Sequence, residues 1–270
     1  MAAWDWYECT VRGLGQSGHD LVLAGLVEGL DLASVFPGRA KYGYLHGAEV
    51  RRGDVVLAVV WWGGNPGVHV SATGAHAPEV SAVIRARWPV HSITRVDARV
   101  DWDQPGLFDR LAAVLLAYAA EFGITIHQEG DWHQGKGRTL YLGSRSSPVQ
   151  LVLYEKGYEV GGGASLDWVR IEVRVRPKGD ARERVALWEP GEAFGASGWL
   201  VGALERVGWA DLVPQSVGTV WRPSDAQRAR MSLARQYGPI LSSWIAESGG
   251  LDAWWLEFVA MHKGEAVHTP

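Results

Sequence analysis

The chain has 270 residues, of which 47% are hydrophobic and 21% charged; this excludes a disordered segment and leaves material for one large core or two modest ones. A net charge of −4 shows no basic excess of the kind that advertises a polyanion partner, and the single cysteine, Cys9, excludes an intramolecular disulfide and a cysteine-rich metal site. No apolar run approaches the ~20 residues of a membrane-spanning helix and the first residues lack the pattern of a signal peptide, so a cytoplasmic protein with no membrane partner is expected.

In chain order, Trp4 to Val11 and Val55 to Trp62 read as strands rich in β-branched and aromatic residues, and Val68 to Ser71 as a short third strand. Gly63-Gly64-Asn65-Pro66-Gly67 supplies the turn between the last two. Ala77 to Trp88 has helical spacing closed by Pro89. Ile93 to Trp102 alternates cleanly, with Arg95, Asp97, Arg99 and Asp101 on one face and Val96, Ala98 and Val100 on the other. An amphipathic helix over Pro105 to Phe122 ends at Gly123. Thr139 to Ser144 and Gln150 to Lys156 form a hairpin around Ser146-Ser147-Pro148.

After Gly161-Gly162-Gly163, a second alternating strand, Trp168 to Arg176, sets Arg170, Glu172, Arg174 and Arg176 against Val169, Ile171, Val173 and Val175. It echoes the strand of Asp97, which suggests an internal duplication into two β-rich units, 4–104 and 105–190. Helices follow over Arg182 to Trp188, Phe194 to Val207, Asp225 to Tyr237 and Ile240 to His262, with breaks at Gly238-Pro239 and Gly249-Gly250. The expected fold is α+β. A largely antiparallel central sheet, built from two similar units with helices on one face, fills residues 1–190, and a helical C-terminal region fills 191–270. Seven of the 15 tryptophans lie after residue 185; large rings favour a packed core over a stacking platform for bases or sugars.

The whole-chain charge hides a local excess, because residues 136–184 carry ten Lys or Arg against six Asp or Glu. Lys136, Arg138, Arg145, Lys156, Arg170, Arg174, Arg176 and Lys178 lie in or beside three strands where a phosphate backbone can run; a solvated face paired to the acidic segment before it is the plainer alternative. Asp97 and Asp101 share a face, Glu172 sits mid-strand, and Tyr154 and Lys156 share a face of a third strand. Mid-strand carboxylates require solvent, a partner or a cation. Carboxylates converging with a tyrosine and basic groups suit metal-assisted phosphoryl transfer with Mg²⁺ or Mn²⁺ and a tyrosine nucleophile.

Four segments, in order and spacing, give this chain a family likeness: Thr94-Arg95-Val96-Asp97-Ala98-Arg99-Val100-Asp101-Trp102, Gly137 to Ser147, Leu153-Tyr154-Glu155-Lys156-Gly157, and Val169-Arg170-Ile171-Glu172-Val173-Arg174. Together they resemble the Rep_trans type of replication initiation factor, the rolling-circle initiators of plasmids and filamentous phages. The resemblance implies that Tyr154 attacks one strand at an origin, leaving a 5′-phosphotyrosyl link and a free 3′-hydroxyl. It implies Asp97 and Glu172 as ligands of Mg²⁺ or Mn²⁺, Asp101 as a weaker ligand that alternatively pairs with Arg99, and Lys156 as the group that favours phenolate. His69 stands where plasmid members carry an acid and is a further candidate ligand; Tyr141 is the second-choice nucleophile. Arg138, Arg145, Arg170 and Arg174 are expected DNA contacts. Origin DNA is the implied partner, with a host helicase or polymerase and a second copy of the chain beside it. The alternative is a DNA-binding regulator on the same scaffold without catalysis.

Overall fold

The computed structural model describes residues 1–15, 17–209, 212, 214–218 and 225–263. It divides into two compact units, Met1–Val220 and Trp221–Pro270. The first unit therefore extends past the boundary expected at residue 190, because Pro190–Gly195 and the helix Gly198–Arg206 bury Phe194, Leu200 and Leu204 in the core of the sheet.

That unit holds ten strands: β1 (Ala3–Val11), β2 (Ser34–Gly38), β3 (His46–Arg52), β4 (Val55–Trp62), β5 (Val68–Thr73), β6 (Ser92–Asp103), β7 (Ile126–Asp131), β8 (Lys136–Leu142), β9 (Val149–Glu155) and β10 (Trp168–Val175). They form one sheet in the order β2-β3-β4-β5-β1-β6-β10-β9-β8-β7, and every pairing is antiparallel. Its helices are α1 (Gly18–Gly29), α2 (Ala77–Arg87), α3 (Leu107–Glu121), α4 (Lys156–Val160), α5 (Ala181–Val185) and α6 (Gly198–Arg206). The expected α+β class, with a largely antiparallel sheet and a helical C-terminal part, is what the chain adopts.

Alternation sorts the sheet into two faces. Tyr7, Cys9, Val70, Val96, Ala98, Leu151, Leu153, Ile171 and Val173 join Leu26, Ile84, Leu115 and Leu204 of the helices in one core. The residues between them (Glu8, His69, Asp97, Tyr154, Glu172 and Arg174 among others) therefore share the opposite face.

The duplication is visible in the topology, with a different division from the one expected. β1-α1-β2-β3-β4-β5-α2 and β6-α3-β7-β8-β9-α4-β10-α5 follow the same path apart from the short α4, and each places its last strand beside its first. The second copy thus begins at Ser92, before the Asp97 strand, rather than after residue 104. β6 and β10 are neighbours inside one copy, and their matching charge patterns reflect a shared face.

The second unit contains α7 (Asp225–Glu247) and α8 (Leu251–Lys263). α7 runs through Pro239, where a helix break is expected, and forgoes the hydrogen bond that the missing proline N–H cannot make. The second expected interruption holds: Gly249 and Gly250 adopt positive φ between the helices. Trp244 and Ser248 donate to the Glu257 carboxylate at 2.8 and 2.6 Å, tying α7 to α8.

Candidate active site

A cleft of about 870 Å³ opens on the charged face of the sheet, lined by Asp5, Asp97, Tyr141, Tyr154, Lys156, Arg170, Glu172 and Arg174 among others. β9 delivers Tyr154, and its neighbours β8 and β10 deliver Tyr141 and Glu172. Immediately after β9 the chain turns into α4 against the segment before β10. A side chain at Gly157 would collide with the Ser165 carbonyl, so the glycine after Lys156 is a steric requirement.

Tyr154 lies at the cleft floor, 9% exposed. Its hydroxyl donates to Glu172 Oε2 at 3.3 Å and accepts from Arg170 Nη1 at 3.4 Å. Burial, reinforced by the Glu172 charge, pushes the phenol well above the ordinary tyrosine range against the pull of Arg170. The hydroxyl therefore keeps its proton at neutral pH until a base removes it. Lys156 stands 5.6 Å from the centroid of the Tyr154 ring and pairs with Glu159 at 3.0 Å, so it addresses the ring face, while Arg170 is the cation at the oxygen. Tyr141 faces the same cleft but donates to Glu129 at 3.0 Å.

The inner carboxylates of the cleft, Asp5, Asp97 and Glu172, and Asp101 beside them, are each partnered by arginine. Arg170, 4% exposed, grips both oxygens of Asp101 at 2.7 and 3.2 Å and donates to Asp5 at 2.9 Å. Asp101 also pairs with Arg99, as the alternative reading has it, and accepts from Trp168 Nε1 at 2.8 Å. Burial works to raise the Asp101 carboxyl, but the Arg170 and Trp168 hydrogen bonds outweigh it and hold the group below the usual range. Asp97 is bound by Arg95, and Glu172 by Arg174 at 2.7 Å.

Asp5 is the site residue that strand periodicity misses. β1 pairs Trp4 with Ala98 and Trp6 with Asp97, so Asp5 is the extra residue of a bulge, and the bulge carries its carboxylate into the cleft.

Burial lifts the Asp97 carboxyl from 3.8 to about 7, in spite of its Arg95 hydrogen bonds. The folded state then holds a proton that the unfolded state releases, so this group's contribution to stability falls as pH rises from about 4 to about 7. Thermal melts of wild type and Asp97→Asn across that range are expected to diverge, the variant gaining on wild type with rising pH until the difference levels above about 7. A difference independent of pH would contradict a raised Asp97.

The donor set does not fit Mg²⁺ or Mn²⁺ as arranged. Arg174 Nε sits 2.7 Å from Glu172 and 3.9 Å from Asp97, so a guanidinium already fills the position between the two expected ligands. Among the described residues no three His, Cys, Asp or Glu side chains gather into one group that could hold a metal ion. His69 is outside the cleft, 5% exposed on the first copy's half of the sheet. It donates from Nε2 to Glu8 at 2.8 Å and bonds Thr10 through Nδ1 at 3.0 Å, and the Tyr44 ring stacks on it at 5.6 Å.

Two expected DNA contacts are also placed differently. Arg138 shares the helix-side face of Leu140 and Leu142, where it pairs with Glu155 at 2.9 Å and Asp109 at 2.6 Å and stacks over Phe108. Arg170 is buried beneath the site as its structural cation. Arg174 lines the cleft, and Arg145 is exposed in the loop between β8 and β9.

No helix among the described residues is long and apolar enough to cross a membrane. A search of curated proteins finds no match. The solved structure of a rolling-circle replication initiator protein from Geobacillus stearothermophilus is similar at 23% identity, covering 68% of this chain and 77% of that one, with a TM-score of 0.48. Over residues 116–188, the stretch that carries Tyr141, Tyr154, Lys156, Arg170, Glu172 and Arg174, the chain matches the replication initiation factor family, Rep_trans, which its sequence motifs resemble.

Proposed function

We propose that this protein initiates rolling-circle replication by nicking one strand of an origin through Tyr154. The observation that carries the reading is the Tyr154 hydroxyl held between the Glu172 carboxylate and the Arg170 guanidinium at the floor of the cleft. Glu172 accepts the phenolic proton as the tyrosine oxygen attacks phosphorus. The new bond joins that oxygen to the 5′-phosphate. The bond to the 3′-oxygen breaks, and that oxygen takes a proton from water and leaves as a hydroxyl from which a host polymerase extends. Reversal by an incoming 3′-hydroxyl rejoins the ends. Arg174 and Lys156 carry positive charge beside the reacting phosphate. No step is routed through Mg²⁺ or Mn²⁺, given the guanidinium between Asp97 and Glu172.

The test is to incubate the protein with supercoiled DNA carrying its own origin, separately with Mg²⁺, Mn²⁺ and a chelator. Relaxed circles together with a protein–DNA adduct that survives denaturation are expected. Specific binding with no adduct under any of the three conditions would replace this reading with that of a non-catalytic regulator.

A further inference from the structure

The arginines around Tyr154 are paired, but one step beyond the end of β10 the pairing fails. Arg176 lies on the Arg170-Glu172-Arg174 side of the chain, and its backbone N–H is anchored on the Pro148 carbonyl at 2.7 Å. The last partners of the ladder are Val175 and Val96, so the register carries Arg176 alongside Arg95, cation beside cation. Arg95, Arg174 and Arg145 all repel its guanidinium, and Asp97 is the acidic group that acts on it. Asp97 is already bonded to Arg95, Arg95 also stacks on Trp6 at 3.9 Å, and Arg174 is engaged by Glu172. Arg176 Nη1 is buried and has no hydrogen-bond partner among the described residues. Burial first, and then the neighbouring arginines, lowers the affinity of this guanidinium for its proton.

Like charges in register across strands and a buried unpaired donor both cost stability. Local rules broken together in this way mark a place where something else completes the structure. The missing component must be an anion with several acceptor oxygens, small enough to sit among three guanidinium groups.

We infer that Arg176, flanked by Arg95 and Arg145, binds a further backbone phosphate of the single strand, along the chain from the one Tyr154 attacks. The inference rests on the nicking reading above and gives the strand a direction across the protein. From Glu172 the path follows β10 past Tyr141 and Arg174 to Arg176, about 13 Å of strand. Binding the phosphate relieves the repulsion among the arginines, so part of the strand's affinity comes from discharging strain in the free protein.

The probe is a labelled single-stranded oligo(dT), with binding measured as a function of salt for wild type, Arg176→Gln, Arg176→Lys and Tyr154→Phe. One lost phosphate contact is expected to lower the slope of log affinity against log salt by about 0.7 in Arg176→Gln, with Arg176→Lys and Tyr154→Phe keeping the wild-type slope. Without DNA, Arg176→Gln is expected to melt at or above the wild-type temperature, because it removes an unpaired buried cation; a purely structural arginine would give a clear loss. An unchanged slope in Arg176→Gln overturns the proposal. So does a variant that loses stabilisation by inorganic phosphate while its slope for DNA stays that of wild type, since the site then takes a free anion. If wild type binds oligo(dT) yet forms no adduct at its origin, the nicking reading fails while the slope comparison still decides the role of Arg176.

Discussion

Tyr154→Phe is expected to abolish the covalent adduct and reduce origin nicking at least ~10³-fold, while Tyr141→Phe nicks within a few-fold of wild type. The difference follows from where the two hydroxyls lie. Tyr154 bonds to Glu172 and Arg170 inside the cleft, and Tyr141 donates to Glu129, whose residue is exposed on the edge strand β7. Because burial holds the Tyr154 proton on, the base is part of the same prediction. Glu172→Gln is expected to retain DNA binding and lose ~10² to 10⁴ in nicking rate, the usual worth of a positioned general base. Equal activity in Tyr154→Phe and wild type would reassign the nucleophile; a Glu172→Gln enzyme that nicks at the wild-type rate would remove Glu172 from proton transfer.

How much of this was legible in one sequence depends on depth. β6 and β10 could be read directly, because one face of each is apolar and the other charged, and a period of two is the signature of that arrangement. β2 and β7 could not: both are edge strands, nearly all their residues are exposed or carry Gly or Pro, and no apolar alternation is left to see. α1 is hidden by its own glycines, which look like loop residues. Two of them are packing requirements, since a Cβ at Gly25 would lie 2.6 Å from the Trp88 ring and one at Gly29 2.6 Å from Val83.

The site divides along the same line. Strand neighbours on one face must meet, so Tyr154, Lys156, Asp97, Glu172 and Arg174 line one cleft, and Asp101 joins them through Arg170. Asp5 depends on a bulge, which leaves no mark in a pattern of polar and apolar residues. Charge alone could not say which arginines are spent. Arg138 and Arg170 looked like surface phosphate contacts, but the strand register hands them Glu155, Asp101 and Asp5. His69 is explained by the duplication: it occupies the first copy's half of the same sheet face, and Tyr44 closes over it.

Arg170→Met is expected to cost about 3 to 5 kcal/mol, the scale for removing one partner of a buried ion pair. Arg170 is the charge on which Asp5, Asp101 and Tyr154 converge, and it is almost wholly buried. Without it, Arg99 remains as a guanidinium partner of both carboxylates, and the Tyr154 oxygen loses its nearest cation. For a unit of this size the loss corresponds to a fall in melting temperature of roughly 10 °C. Arg170→Lys is expected to recover little, because an ammonium cannot span both oxygens of Asp101 while reaching Asp5. Pairing Arg170→Met with Asp101→Asn should recover part of the loss, since the second change removes a carboxylate that the first left with Arg99 as its remaining guanidinium partner. The pH dependence separates this account from simple loss of packing. Asp101 is held below its unfolded value of 3.8, so its stabilisation is present above that pH and disappears as pH falls through the folded value. Arg170→Met should therefore resist acid relative to its own neutral-pH stability better than wild type does. If the two proteins lose stability in parallel below pH about 4, the deficit lies in packing around the Arg170 side chain and not in the charge it supplies to Asp101.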